Sequence, residues 1–354
     1  MKRILFFLFF NSFHLFINNS KINNDITSNK NFETYNYRNI NNKLAKKNII
    51  LGTIVGYSLK SVSPFFNSLI HSNLTNCDVV IFIKNITRKL KNYLKNIGVI
   101  LVPISNEYNN IPITKSRWKL YFDYLKKRKN KYNQVFTTDI RDVIFQKDIF
   151  KYYEKYKSFL GFALEDKFLN ETTNKQWIVN YVGNEIYKKI QNERIICFGS
   201  IWGSIDKILE FSGMFWEKVL FNKNSTDQGI GNYLIYYEKI FHDCILYSDN
   251  FGPVITIGWS QPNDIHLDLN DNILNLKGEL ASVIHQYDRN IILIKKINNK
   301  FLYNNYKRNS IKNSMRVLLF LILFKFSMMK IIQINIEIGK LILFYVMIKN
   351  KNIN

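Results

Sequence analysis

An α/β architecture, with a mainly parallel sheet flanked by helices, follows from three features of the chain. Apolar runs of strand length recur between residues 48 and 139. They are apolar throughout rather than alternating, which marks strands buried on both faces. Stretches with helix-starting and helix-stopping residues lie between them.

Each element can be justified in order. Asn48–Tyr57 reads as a first strand ended by Gly56. Ser63-Pro64 opens a helix to about His71, with Pro64 near the first turn, where a missing N–H is harmless. Asp78–Ile83 is a second strand. Thr87 caps a helix over Arg88–Asn96 that stops at Gly98. Val99–Pro103 is a third strand, a helix follows from about Ser116 to Lys129, and Gln134–Asp139 is a fourth strand. In such sheets ligands bind beyond the carboxyl ends of the strands.

The 354 residues are 47% hydrophobic and 15% aromatic, which excludes a disordered chain and allows a packed core. The formal charge is +23, but lysine is spread along the whole length amid abundant Asn, Ile and Tyr. That pattern reflects composition more than a basic arm, so nucleic acid is not expected as a partner. A positive field still attracts nucleotide diphosphates and membrane surfaces. Cys77, Cys197 and Cys244 have no ligand-like spacing and read as small buried hydrophobes.

The ends differ from the middle. Residues 1–17 begin Met1-Lys2-Arg3 and continue into a short apolar run, as in a signal peptide or short membrane anchor. Residues 18–46 form an Asn/Lys-rich linker, and 47–300 form a single α/β domain. Residues 301–354 make a basic amphipathic helical tail. At roughly 100° per residue, Lys325, Lys330, Gln333, Glu337 and Lys340 fall within an arc of about 140°. The wide apolar remainder packs either on a membrane surface or on the parent domain. These features place the chain in the secretory pathway or at a membrane, with the cytoplasmic face of a membrane as the alternative. Asn-x-Ser/Thr triplets are as frequent as chance gives in so Asn-rich a chain and do not settle the compartment.

The chemistry centres on Asp139-Ile140-Arg141-Asp142, at the carboxyl end of the fourth strand. Carboxylates are costly in such a place unless paired or metal-bound. Oxygen ligands suit Mn²⁺ or Mg²⁺. The alternative is a salt-bridged turn, with Arg117 or Arg141 as partner. Further pieces follow in order. Gly52–Tyr57 and Ser116-Arg117-Trp118 precede the motif. After it come Phe198-Gly199-Ser200, Asp227-Gln228-Gly229 and His285-Gln286-Tyr287-Asp288-Arg289.

In that order the sequence, over about residues 48–290, resembles the GT-A-fold glycosyltransferases, with their Rossmann-type nucleotide-binding sheet. The resemblance implies transfer of a sugar from a nucleotide-diphospho-sugar, a UDP-sugar foremost, to a hydroxyl on a glycan, lipid or protein. It implies a divalent metal held by Asp139 and Asp142, with Asp142 favoured as direct ligand and His285 as a third. The spacing departs from the usual Asp-x-Asp, so the direct ligand stays open. The resemblance further implies Thr53, Val55 and Tyr57 at the base and ribose, and Arg117 at the nucleotide or phosphates. Gly199, Ser200 and Gln228 fall at the donor sugar, Asp227 beside the reacting carbon, and Arg289 on a diphosphate oxygen. Structural readings stand beside these: a cap at Asp227, a turn at Gly199, a surface pair between Arg289 and Asp288. Residues 166–192 fit acceptor recognition, with Trp177 either stacking on a sugar or packing. Two other functions compete. One is a catalytically inactive, membrane-associated sugar-nucleotide-binding protein. The other is a haloacid-dehalogenase-like phosphatase, whose Asp-x-Asp motif is lengthened here by Ile140-Arg141.

Overall fold

The structure is a computed structural model that describes residues 46–303 except 221, 223 and 224. The expected leader and linker, save Lys46, and the tail beyond residue 303 lie outside the described residues. Among the described residues no helix is long and apolar enough to cross a membrane.

Seven strands make the main sheet. They are β1 (Lys47–Val55), β2 (Cys77–Lys84), β3 (Ile100–Pro103), β4 (Tyr132–Thr138), β6 (Leu160–Phe168), β7 (Arg194–Ser204) and β8 (Ile245–Ser248), in the order β3-β2-β1-β4-β7-β6-β8. All pairs are parallel except those that β7 makes with β4 and β6. The sheet is thus mainly parallel, as the apolar runs predict, with one reversed strand that they do not reveal. From β1 the order runs outward to β2 and β3, then reverses to β4. The carboxyl ends of β1 and β4 flank that switch point, where a crevice opens.

Successive residues of β1 feed opposite layers, as a pleated strand requires. Ile49 and Leu51 join a core with Trp118, Phe211 and Phe215, whereas Ile50 and Ile54 join one with Phe65, Phe66 and Phe136. Helices α3 (Ile113–Lys126), α6 (Ile205–Leu220) and α7 (Asp227–Tyr236) supply the first layer. Helices α1 (Leu59–His71), α2 (Arg88–Asn96) and α4 (Ile149–Tyr153) supply the second. Each fully buried Phe contributes about 2 kcal/mol.

Two helices begin earlier than their sequence signals suggest. Helix α1 starts at Leu59, where Ser58 and Ser61 form a reciprocal capping box. Pro64 therefore lies inside the helix, not in its first turn, and the Lys60 carbonyl it leaves free accepts from Ser63 Oγ at 3.3 Å. Helix α3 starts at Ile113, after Pro112 has turned the chain. Helix α2 has the expected bounds, with Thr87 Oγ1 accepting from Leu90 N–H at 3.3 Å and Gly98 at φ +82° beyond its end.

A second sheet, β5-β12-β9, combines β5 (Val143–Phe145), β9 (Val254–Thr256) and β12 (Val283–His285), and between the last two in the chain β10 (His266–Leu267) pairs antiparallel with β11 (Ile273–Leu274). Strand β12 runs antiparallel to β5, with His285 opposite Val143. Helix α8 (Ile291–Phe301) packs beside it through Leu293, Ile297 and Phe301. The long helix α5 (Thr172–Ile190), kinked at Gly183, occupies the segment expected to meet an acceptor.

Candidate functional site

Two sheets meet at the Asp139–Asp142 segment. Strand β4 ends at Thr138, and Asp139 N–H still donates to the Gly199 carbonyl at 2.8 Å, extending the pairing with β7 by one step. Ile140, 1% exposed, then turns down onto β1, where a Cβ on Gly52 would come within 2.3 Å of its Cδ1. Glycine at 52 is what admits it. Arg141 turns out to solvent, and Asp142 opens β5. The spacing thus holds one buried anchor and one exposed arginine between the two carboxylates. Gln286, at φ 62°, donates its N–H to the Asp142 carbonyl at 2.8 Å and locks the end of β12 against the motif.

The result brings Asp139, Asp142 and His285 together, each offering a ligand atom within 4.8 Å of the others. His285 Nε2 lies 3.8 Å from Asp139 Oδ2 and 3.7 Å from Asp142 Oδ1. The remaining carboxylate oxygens face arginines, Asp139 Oδ1 at 2.7 Å from Arg117 Nη1 and Asp142 Oδ2 at 3.7 Å from Arg141 Nη2. Each carboxylate therefore points one oxygen at an arginine and one at the histidine. Burial raises the Asp142 carboxyl above the ordinary range; His285 opposes this, and the Asp139 and Asp288 charges add to it.

This donor set fits a hard divalent cation: two carboxylates and one imidazole, with room for oxygen ligands from a substrate. A second observation supports the fit. A Cβ on Gly199 would lie 2.2 Å from His285 Cε1 and 2.7 Å from both His285 Nε2 and Asp139 Oδ2. Gly199 sits in mid-strand on β7, not in a turn, and its missing side chain leaves the cradle open.

Arg117 is the electrostatic hub behind the cradle. Its Nη1 donates to Asp139, while Nη2 donates to Asp227 Oδ2 at 2.6 Å and to the Phe198 carbonyl at 2.9 Å. The side chain is 8% exposed. It bridges Asp139 and Asp227, the first as the salt-bridge reading of the motif has it. Trp118 fixes α3 by edge-to-face contacts with Phe211 and Phe215 at 5.5 and 5.1 Å, and its Nε1 donates to Asp227 at 3.3 Å. The helix cap at this point is Thr226, not Asp227. Burial raises the Asp227 carboxyl, with Arg117 opposing. Gln228 accepts from Phe198 N–H at 3.2 Å and donates to Asn174 at 2.9 Å, tying α7 to β7 and α5.

A cavity of about 600 Å³ opens in front of these groups. Arg117, Asp139, Asp142, Gly199, Asp227, Gln228, His285 and Arg289 all border it. Trp177 does too, packed against Gly229. Arg289 is exposed and lies over the Trp259 ring at 5.6 Å; Asp288 pairs with Arg141 at 3.2 Å instead. The other expected residues stand off the cavity wall. Thr53 shares a hydrogen bond with buried Tyr121, and Val55 packs on the core. Ser200 is fully buried on β7. Tyr57 is 37% exposed at the end of β1, its phenol raised by partial burial and then by the Asp139 charge.

Sequence reasoning missed three residues on the same wall. Glu165 is 2% exposed and accepts from Trp259 Nε1 at 2.7 Å and from Gln286 Nε2 at 3.4 Å. An acid closing the apolar run Leu160–Leu164 is the same signal that marked Asp139, and it could have found Glu165. Trp259 and Cys197 carry no such mark. Cys197 Sγ lies 3.3 Å from His285 Nδ1, and burial pushes its thiol well above the usual range.

No protein-family model matches the chain, and no curated protein matches it. Solved structures do resemble it. An active-site mutant of LgtC shares 14% identity, over 67% of this chain and 86% of that one, with a TM-score of 0.44. The apo bifunctional glycosyltransferase WbbM shares 14%, over 75% and 52%, with a TM-score of 0.48. The glycosyltransferase GlyE of Streptococcus pneumoniae TIGR4 shares 15%, over 68% and 54%, with a TM-score of 0.42. The chain spans about half the length of the last two.

Proposed function

We propose that this chain is a divalent-metal-dependent glycosyltransferase that moves a sugar from a nucleotide-diphospho-sugar, a UDP-sugar foremost, to a hydroxyl acceptor. The observation that carries the reading is the convergence of Asp139, Asp142 and His285 around the space kept clear by Gly199, at the switch point of the sheet. A cavity of about 600 Å³ in front of them is of the size that encloses a small ligand.

Asp139, Asp142 and His285 would hold Mn²⁺ or Mg²⁺, which when bound neutralises charge on the leaving diphosphate. Arg289, exposed at the same cavity, would pair with a diphosphate oxygen. Arg117 keeps Asp139 aimed into the cavity by gripping one of its oxygens. Asp227, with Oδ2 on Arg117 and Oδ1 accepting from Gln228 N–H at 3.0 Å, holds the first turn of α7 beside the donor sugar. Gly199 and Gln228 border the sugar itself, and the end of β1, whose exposed residue is Tyr57, is assigned to the base and ribose. Trp177 and α5 face the acceptor. Positioning of donor and acceptor supplies much of the rate.

A thermal-shift screen of nucleotide sugars with and without Mn²⁺ identifies nucleotide, donor class and metal need together. Metal-dependent donor hydrolysis or transfer should then be abolished in the Asp139→Ala/Asp142→Ala double variant. Full activity in that variant overturns the site. Donor binding without turnover across an acceptor panel would mark an inactive binding protein instead.

A further inference from the structure

We propose that Cys197 is a positioning residue for the cation site: it fixes which nitrogen of His285 carries the proton. The inference rests on the metal reading above and concerns a residue outside the ligand set.

The imidazole of His285 is 1% exposed, and its two nitrogens face opposite chemistry. Nε2 looks toward the two carboxylates, at 3.7 and 3.8 Å. Nδ1 looks toward Cys197 Sγ, at 3.3 Å. The sulfur sits among donors. The Gly199 backbone N–H is directed at it, and the Gln286 side-chain amide approaches to 3.9 Å. A sulfur with these two donors on it is placed to accept from Nδ1–H, which leaves the lone pair on Nε2. That lone pair then points at two carboxylates. The arrangement is repulsive by itself and becomes attractive around a cation. A ligating histidine is usually held by donating its second N–H to a carboxylate or carbonyl. Here a thiol, a weak acceptor, takes that part. It sets the tautomer while polarising the ring less than a carboxylate would.

The test is Mn²⁺ titration of the full-length chain, followed by the paramagnetic resonance of free Mn²⁺. Cys197→Ala should bind Mn²⁺ about 10–100-fold more weakly, the usual cost of losing such a partner. Cys197→Ser, which keeps an acceptor on the same strand, should stay within a few fold of the unmodified protein. Imidazole ¹⁵N shifts of the metal-free protein, where no cation imposes the tautomer, should show His285 protonated at Nδ1. A packing role alone would not move that signature, and it is read on the unmodified chain should the alanine variant fail to fold. Equal affinity in the alanine variant, or a proton on Nε2 in the metal-free form, overturns the inference alone. No Mn²⁺ binding by the unmodified protein overturns the metal reading and this inference with it.

Discussion

The two ends of the main sheet each bury a carboxylate, and they treat it in opposite ways. At the amino end, Asp78 accepts from Lys47 Nζ at 2.9 Å, Lys131 Nζ at 2.6 Å and Tyr132 OH at 2.9 Å. One negative charge meets two ammonium groups and a hydroxyl. Burial alone would raise that carboxyl, but the three donors outweigh it and hold it below its ordinary value. At the carboxyl end, Asp139, Asp142, Asp227 and Asp288 share Arg117 and Arg141. There the Asp142 and Asp227 carboxyls are raised, in both cases first by burial. The amino end is electrostatically complete. The carboxyl end is short of positive charge, and a divalent cation would supply what is missing. The lesson is that a buried acid becomes a functional candidate when its neighbours under-neutralise it.

The largest effect that can sharpen this contrast is at Arg117. Replacing it with leucine leaves Asp227 buried without its cation, which should cost about 3–5 kcal/mol. The double variant Arg117→Leu/Asp227→Leu should recover much of that loss, because the buried charge goes as well. Denaturant unfolding reads both. A single variant as stable as the parent would mean that Arg117 does not anchor the carboxyl end.

Next comes Asp142→Asn. A carboxyl held above its ordinary value stabilises the fold while protonated, below about pH 3.9, and that stability is lost as pH rises through the raised value. At neutral pH the ionised side chain is therefore a cost, and asparagine removes it. The metal-free variant should melt a few degrees higher than the parent, since about 1 kcal/mol shifts a midpoint by roughly 2–4 °C at this size. Its further stabilisation by Mn²⁺ should disappear. A lower midpoint without metal would break the claim of a charge deficit.

The same contrast explains what could be read from the sequence. Strands β1 to β4 and helix α2 were legible because their signals are local: apolar runs, Thr87 before a helix, Gly98 after it. Asp139 and Asp142 were visible as acids where an apolar run ends, and His285 as a ring closing a late strand. The reversal of β7 was not visible, since strand direction is a property of partners. Nor was the pairing of β5 with β12, which connects segments more than a hundred residues apart and assembles the triad. Arg117 was legible as a salt-bridge partner of the acidic motif, but its second partner, Asp227, lies more than a hundred residues away and was not. Tyr57 and Ser200 came from the resemblance alone; Tyr57 is part-exposed, whereas Ser200 is fully buried.

The remaining test concerns the amino end and carries the opposite sign with pH. Asp78 is held below the ordinary carboxylate value, so its stabilising contribution is fully present above about pH 3.9 and is lost as pH falls through its own lower value. Asp78→Asn should cost about 1–3 kcal/mol at pH 7, from weakened bonds to both lysines and Tyr132. The gap between parent and variant should narrow steadily below pH 4 and close once both carry an uncharged side chain. Thermal midpoints across that range measure it. A gap that stays constant into acid would show that Asp78 acts by shape rather than charge, and the electrostatic distinction between the two ends would lose its better-neutralised half.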